Sequence, residues 1–214
     1  MSIENTKNKD LQATFAAHII NCKTCVACSL HETRLNVVKP RTRMSGEVNI
    51  DPSILVIGDA PGKEEDEKGF PFIGKSGQIL ESAFKKLNIA DQVAYTNTVR
   101  CRPPGNRDPS KEEKEACFSN LITDIAIFKP DIIVTAGRHA SISMLPDYSA
   151  ATMESLTAVD RNPLYFHMGE DYKIQVIPIW HPAYYLKNQH NEDFKNTYWG
   201  QFIRIKQAYL DVSS

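Results

Sequence analysis

Three predicted strands each carry a polar side chain near or directly after their last residue. A carboxylate, Asp59, follows the apolar run 54–57, an amide, Asn97, lies late in 93–99, and an imidazole, His181, follows 174–180. Runs of β-branched and apolar residues of this length are typical of buried strands. Open α/β sheets bind their ligands at the carboxyl ends of the strands. We therefore expect the three side chains to converge on one edge of a sheet and to form a polar site.

The loop after the first strand adds a flat surface to these polar groups. It reads GDAPGKEEDEKGFPFIG over 58–74 and combines four glycines and two prolines with Phe72. Glycine and proline fix a backbone that can approach a substrate closely. Phe72 could equally be a core residue, but its glycine-rich surroundings favour stacking on a planar ligand.

Five cysteines, at positions 22, 25, 28, 101 and 117, indicate a metal centre. The first residues are polar, and no run approaches the roughly 18 apolar residues that span a bilayer. We therefore expect a cytoplasmic protein without a membrane segment. Disulfides are rare in that compartment. Two thiolates from the segment 22–28, together with those of Cys101 and Cys117, suit either a tetrahedral zinc or a 4Fe–4S cluster. The spacing alone does not choose between the two. Cys22 extends the first pair to C-x2-C-x2-C and could in principle replace Cys25.

The motifs GDAPGKEEDEKGFPFIGKSG, TNTVRCRPPGNRDP and HPAYYL occur in this order. Together with the cysteine spacing they resemble the uracil-DNA glycosylase superfamily, most closely its iron–sulfur-containing family 4, from about residue 25 to residue 186. The resemblance implies an enzyme that flips uracil out of DNA and hydrolyses its N-glycosidic bond, leaving an abasic site for base excision repair. It also implies a structural 4Fe–4S cluster held by Cys25, Cys28, Cys101 and Cys117.

The same resemblance implies roles for the residues of the polar site. Phe72 stacks on the flipped base, Asn97 pairs with the edge of uracil, and His181 donates to the base O2 as negative charge develops there. Gly58 and Ala60 belong to the substrate-binding loop.

Asp59 departs from the family pattern, because family 4 enzymes typically carry glutamate at this position. We assign Asp59 to positioning the attacking water and stabilising the sugar cation. Its carboxylate lies about 1 Å short of a glutamate's, enough to alter how a water is held.

Basic and aromatic side chains near the predicted pocket are candidates for DNA contact. The net charge of −1 does not by itself indicate a nucleic-acid-binding protein. Arg102 and Arg107 nevertheless lie in the second loop, residues 100–109 after the second predicted strand, where phosphate contact is favoured over a merely solvated position. The residues after His181 are expected to form a loop beside the mouth of the pocket. The family places an intercalating wedge just beyond the histidine, so Tyr185 or Leu186 is expected to fill the gap left by the flipped base.

Strands alternate with helices along the chain. The predicted strands are 53–58, 93–99, 131–137 and 173–180, and the predicted helices are 8–21, 76–88, 110–128, 138–145 and 192–210. This order predicts an α/β fold, a three-layer α/β/α arrangement with a central four-stranded parallel sheet. We expect one domain over 1–214 with a cluster-binding segment at about 22–34, acting on DNA as a monomer.

Two other functions are compatible with the sequence. The same fold could excise another modified base, because Asp59 leaves a larger pocket than glutamate would. A DNA-binding or inhibitory module without catalysis could also retain the fold and the cluster.

Overall fold

The fold is built around a five-stranded sheet. The structure, a computed structural model, describes residues 3–42, 51–158, 162–170 and 172–213, with side chains from residue 10 onward. The strands are β1 (Ile54–Gly58), β2 (Val93–Asn97), β3 (Ile132–Ala136), β4 (Leu164–Met168) and β5 (Tyr172–Ile179). Their order across the sheet is β2-β1-β3-β5-β4. β2, β1, β3 and β5 run parallel, and β4 lies antiparallel to β5 at one edge.

The predicted α/β class with a parallel core is confirmed, but the strand count of four is too low. The missed strand, β4, reads LYFHM and alternates between exposed and more buried side chains. This alternation is typical of an edge strand that is covered on one face only. The four predicted strands are apolar almost throughout because helices cover both of their faces, which gives a much stronger sequence signal.

Helices pack on both faces of the sheet. They are α1 (Ile3–Lys23), α2 (Lys63–Lys68), α3 (Lys75–Lys86), α4 (Lys111–Phe128), α5 (Arg138–Met144), α6 (Met153–Thr157), α7 (Pro182–Asn188) and α8 (Glu192–Val212). The short helices α2, α6 and α7 were not predicted, whereas the equally short α5 was. Among the described residues, no helix is long and apolar enough to cross a membrane.

Alternate residues of β1 divide the core into two layers. Ile54 and Val56 face a cluster that contains Phe84 of α3 and Phe202 of α8. Leu55 faces the opposite cluster, to which α4 and α6 contribute apolar side chains. Because successive strand residues point to opposite faces, a continuous apolar run is what a strand between two helical layers requires.

A buried polar network joins α1 to the body of the protein. Asp124 of α4 is fully buried and forms an ion pair with Arg100. The same carboxylate accepts a hydrogen bond from Thr96 Oγ1 at 2.9 Å and lies 3.2 Å from His18 Nε2. The hydrogen bond to Asp124, assisted by the nearby Cys22, raises the pKa of His18 to about 9.

This pKa makes stability depend on pH. Because the folded-state pKa of His18 exceeds the unfolded value of about 6.5, the folded protein binds more protons between these two values. The stabilisation is therefore complete below about pH 6.5 and is lost as the pH rises through about 9.

We expect His18→Gln to lower the free energy of unfolding by about 2 kcal/mol near pH 6, the typical value of a charge-assisted hydrogen bond. Near pH 10 the variant and the wild type should differ much less. Urea unfolding at both pH values measures this difference, with the exposed His190→Gln as control. A difference that grows as the pH rises would contradict the assignment.

Candidate functional site

The carboxyl ends of the parallel strands carry the polar residues singled out in the sequence. Asp59 follows β1, Asn97 ends β2, and His181 follows β5 after Trp180. Gly58 and Asn97 are paired in register across β1 and β2, so the amide lies beside the start of the first loop. The structure thus brings all three side chains to one edge of the sheet.

Glycine at position 58 lets the side chains of Phe72 and Asn97 lie close to each other. A Cβ atom at Gly58 would collide with Asn97 Oδ1 and would lie 2.7 Å from Phe72 Cζ. Phe72 and Asn97 are both almost fully buried. An aromatic face and an amide are therefore placed side by side, and these are the groups that recognise a planar ligand with a polar edge.

Phe72 is held in a backbone conformation that is uncommon for a residue with a side chain. Its φ angle is 52°, in the left-handed region. The buried guanidinium of Arg41 fixes this turn, since its Nε donates to Pro71 O at 2.7 Å and its Nη2 to Phe72 O at 2.8 Å. Gly77 of α3 packs so closely against the Phe72 carbonyl that no side chain would fit there.

His181 is oriented by the start of α7. As the N-cap residue, it accepts a hydrogen bond at Nδ1 from Ala183 N at 3.1 Å. This bond assigns the proton of the neutral ring to Nε2, which becomes the donor available to a ligand. Burial lowers the pKa of His181, against the opposing effect of Asp59, so the ring is neutral at neutral pH.

Gly137 makes room for this imidazole. Its φ angle is +90°, and a Cβ there would lie 3.1 Å from His181 Cβ. Only glycine adopts such a backbone angle readily and leaves this space free.

Asp59 has a different environment at each of its two oxygens. Oδ1 forms an ion pair with Lys114 Nζ at 2.7 Å. Thr98 Oγ1 donates to the backbone carbonyl of Asp59 at 2.6 Å and lies 3.2 Å from Oδ1. Oδ2 lies 3.6 Å from Nδ1 of His139, which is also 3.5 Å from Asp108 Oδ1. The carboxylate is thus fastened on one side and faces an imidazole on the other.

Sequence reasoning missed Lys114, Thr98 and His139. His139 follows β3 at the same edge of the sheet, so the rule that selected the other strand ends could have found it. Lys114 gives no such signal, because it lies on an exposed-looking stretch of α4 rich in lysine and glutamate.

An open cleft of about 390 Å³ leads to these groups. Its walls come from the loops after β1, β2, β3 and β5, and include Asp59, Ala60, Gly137, His139 and His181. Phe72 and Asn97 are almost fully buried and are not among the residues that line this cleft. The cleft can take a sugar or phosphate beside Asp59 and His181.

A second, enclosed cavity lies between α1, the second loop and α4. All five cysteines line it, together with Arg34 and Arg100. Arg34 Nη1 donates to Cys101 Sγ at 3.3 Å, and the buried Nε of Arg100 has no hydrogen-bond partner among the described residues. Several thiols beside two guanidinium groups suit an anionic thiolate-bound metal centre.

Cys22 differs from the other four cysteines in its surroundings. Its thiol donates to Asn120 Oδ1 at 3.4 Å and lies 3.8 Å from His18 Nε2. Cys28, Cys101 and Cys117 instead pack together with Leu30 and Val99.

Comparisons with known proteins identify the family. Residues 45–203 match the family model of the uracil DNA glycosylase superfamily. The chain belongs to the uracil-DNA glycosylase superfamily. It is 40% identical over 171 residues to a type-4 uracil-DNA glycosylase of Thermotoga maritima, covering 79% of this chain and 82% of the relative. Similar proteins of the same name occur in Sulfurisphaera tokodaii, 38% identical over 83% of this chain and 79% of the relative, and in Archaeoglobus fulgidus, 34% identical over 87% and 92%.

The two arginines predicted to contact DNA are partly engaged within this glycosylase fold. Arg107 binds both oxygens of Glu113, at 2.6 and 2.8 Å, and holds the pKa of that carboxyl at about 2. Arg102 Nε donates to Asn106 Oδ1 at 2.6 Å. Arg107 nevertheless lines the cleft, so its guanidinium lies near the entrance to the site.

The residues predicted to supply the wedge lie on a helix, α7, where the sequence suggested a loop. Pro182 at its first position and the His181 cap explain why a helix begins there. Tyr184 is 44% exposed and stacks on Trp180. Tyr185 stacks on Tyr198 with ring centroids 4.6 Å apart, and Leu186 is half-buried beside it.

Proposed function

We propose that this protein is a uracil-DNA glycosylase that hydrolyses the N-glycosidic bond of a flipped-out uracil and leaves an abasic site. The observation that carries the proposal is the close approach of Phe72 and Asn97 at Gly58, which a side chain at position 58 would prevent. Relatives named type-4 uracil-DNA glycosylase cover most of the chain. We further propose that it acts on DNA as a monomer in the cytoplasm.

Asn97 reads the base edge in this proposal. Its amide can accept from uracil N3–H and donate to O4, whereas cytosine presents the opposite pattern of donor and acceptor. Phe72 supplies the stacking face, and its left-handed backbone is fixed by Arg41 before any base arrives. A buried amide that lacks its partner is costly, so a mismatched base is rejected strongly.

His181 stabilises the departing base. The glycosidic bond breaks with its electron pair moving to the base, and the neutral Nε2–H group donates to O2 as negative charge accumulates there. The pKa of His181, lowered by burial, keeps the ring a neutral donor rather than a cation. This bond strengthens in the transition state, so it acts on rate more than on binding.

Asp59 positions water and stabilises positive charge on the sugar. Lys114 and Thr98 hold Oδ1, which leaves Oδ2 facing the cleft. Uracil is the leading substrate because the name of the relatives and the Asn97 edge agree. A larger modified base is the second candidate, since Asp59 occupies less of the cleft than glutamate would.

We propose that Cys25, Cys28, Cys101 and Cys117 hold a 4Fe–4S cluster. Support comes from the cavity that these residues line, from the cationic Arg34 and Arg100 beside it, and from the family. When bound, such a cluster would fasten the segment after α1 to the second loop and α4. Cys22 is assigned no ligand role, because the cysteine spacing of the family matches the other four.

Protein purified without oxygen should be brown, with the broad visible absorption of thiolate-bound iron. Cys101→Ser or Cys117→Ser should bleach it and lower its melting temperature, because a ligand and a cross-link between segments are lost. Cys22→Ser should remain coloured. Iron and sulfide analysis with absorption spectra measures this, and colourless protein with one bound zinc would contradict the assignment.

We propose that Arg102 and Arg107 contact phosphates and that Leu186 or Tyr185 fills the space left by the flipped base. The stacking of Tyr185 on Tyr198 means that its truncation also removes core packing. Leu186→Ala is therefore the cleaner variant.

Leu186→Ala should reduce excision from duplex DNA much more than from single strands, where no base stack has to be held open. Single-turnover rates on both substrates measure this, with Tyr184→Ala as the neighbouring comparison. Equal losses on both substrates for Leu186→Ala and Tyr185→Ala would show that α7 does not supply the wedge.

The function is tested by the release of free base from single-stranded and duplex oligonucleotides that contain uracil, hypoxanthine or hydroxymethylated cytosine. Uracil release supports the proposal, and release of another base alone would support the second candidate. Binding without release of any base would instead show a non-catalytic DNA-binding module.

Gly58→Ala should abolish most of this activity, by on the order of 10²-fold or more, because the added methyl group displaces Asn97 or Phe72 from its reacting position. Gly200→Ala is the matched control, since a Cβ there has no neighbour within 4 Å. On helix α8 this control should add about 1 kcal/mol of stability and leave the rate unchanged. Wild-type excision by Gly58→Ala would place the base elsewhere.

A further inference from the structure

His139 occupies a position in the cleft that no role assigned so far explains. It lies in the first turn of α5, directly after the Gly137 turn that accommodates His181. Its side chain is 40% exposed and lines the same cleft as Asp59 and His181. The neighbouring Arg138 also lines the cleft, but its guanidinium is engaged by the carbonyls of Ser149 and Ala151, to which it donates.

The distances around His139 suit a shared water. Nδ1 lies 3.6 Å from Asp59 Oδ2, which is too long for a direct hydrogen bond. A polar contact of this length, open to a wet cleft, is one that a water can bridge. Lys114 pairs with Asp59 Oδ1, so Oδ2, which faces His139, is the oxygen placed to hold such a water.

The surrounding charges assign a donor role to His139. Nδ1 faces two carboxylates, Asp59 at 3.6 Å and Asp108 at 3.5 Å. Carboxylates accept hydrogen bonds, so they favour the ring form with its proton on Nδ1. Nδ1–H can then donate to the oxygen of a water whose own hydrogen is directed to Asp59 Oδ2.

We propose that His139 is a further water-positioning residue, which shares with Asp59 the water that attacks the sugar. The inference rests on the proposed glycosylase function and deepens it. The water oxygen forms a bond to C1′ while the bond from C1′ to the base breaks and its electron pair leaves with the base. One water proton passes to Asp59 Oδ2, and His139 keeps its own proton throughout.

The proposal also accounts for the short acidic side chain at position 59. Asp59 reaches less far into the cleft than the glutamate that is typical of family 4. Because Asp59 and His139 orient the water together, a short carboxylate is sufficient. A carboxylate lengthened by one methylene should therefore need His139 less.

A divalent cation on the same three side chains is the rival explanation. One ligand atom each from Asp59, Asp108 and His139 lies within 4.8 Å of the others. Lys114 Nζ, at 2.7 Å, already supplies positive charge to Asp59, which disfavours a cation there. Assays in the presence and absence of EDTA separate the two explanations.

The test compares His139→Ala, His139→Gln, Asp59→Glu and the double variant His139→Ala with Asp59→Glu. His167→Ala, which removes an exposed imidazole on β4, is the matched control. Single-turnover release of uracil and DNA dissociation constants are measured for each variant in EDTA. Melting temperatures establish that each variant is folded.

We expect His139→Ala to lower the single-turnover rate on the order of 10- to 100-fold, while DNA affinity changes less than about twofold. Added imidazole should restore part of the rate, because the half-exposed position opens onto the cleft. The double variant should be faster than His139→Ala alone. His139→Gln, which keeps a donor, should lie between Ala and the wild type.

Three results would overturn the proposal. A wild-type rate for His139→Ala would remove the residue from the reaction. A loss rescued neither by imidazole nor by Asp59→Glu would show a structural role, and loss of wild-type activity in EDTA would favour the cation. If the wild type released no uracil, the proposed function itself would fail. If the wild type released uracil and the His139 variants released it at the same rate, this inference alone would fail.

Discussion

The close approach of β1 and β2 at Gly58 and Asn97 is the constraint on which the rest of the site depends. These residues are paired in register, and the missing side chain at Gly58 lets the amide of Asn97 and the ring of Phe72 both approach the Gly58 backbone. The register of the parallel strands is strongly specified, because a shift by one residue would exchange the two faces of the strand. The positions of Asn97 and Phe72 relative to each other therefore depend on the register of the sheet.

Buried charges hold the loops around this pocket. Arg41 pairs its backbone with Tyr95 of β2 and stacks its guanidinium on the Tyr95 ring at 4.5 Å. From there it binds the carbonyls that set the left-handed turn at Phe72. A non-glycine residue in a sparsely populated backbone region costs on the order of 1–3 kcal/mol and persists only when its surroundings over-determine it. Such strain, fixed before substrate arrives, is typical of a preorganised binding site.

Asp124 connects β2 to the cysteine cavity. It accepts a hydrogen bond from Thr96 of β2, binds Arg100, which lines the cavity, and also binds His18 of α1. Removing one partner of such a buried pair leaves the other charge buried without compensation, which strongly destabilises the fold. The amino-terminal helix, the second loop and α4 are thereby joined by polar contacts as well as by the thiols that they contribute to one cavity.

The sequence by itself determined the α/β class, the four apolar strands and the residues Asp59, Asn97 and His181 at their ends, because these depend on local periodicity and on the rule that parallel strands align their carboxyl ends. It did not determine β4 or the helix at 182–188, whose signals are short and depend on neighbours for burial. Nor did it reveal that Lys114 and Thr98 contact Asp59, or that His139 faces the second carboxylate oxygen, Oδ2. Those contacts join residues far apart in the chain, and only the packing of α4 and α5 against the sheet decides which polar side chain reaches which carboxylate.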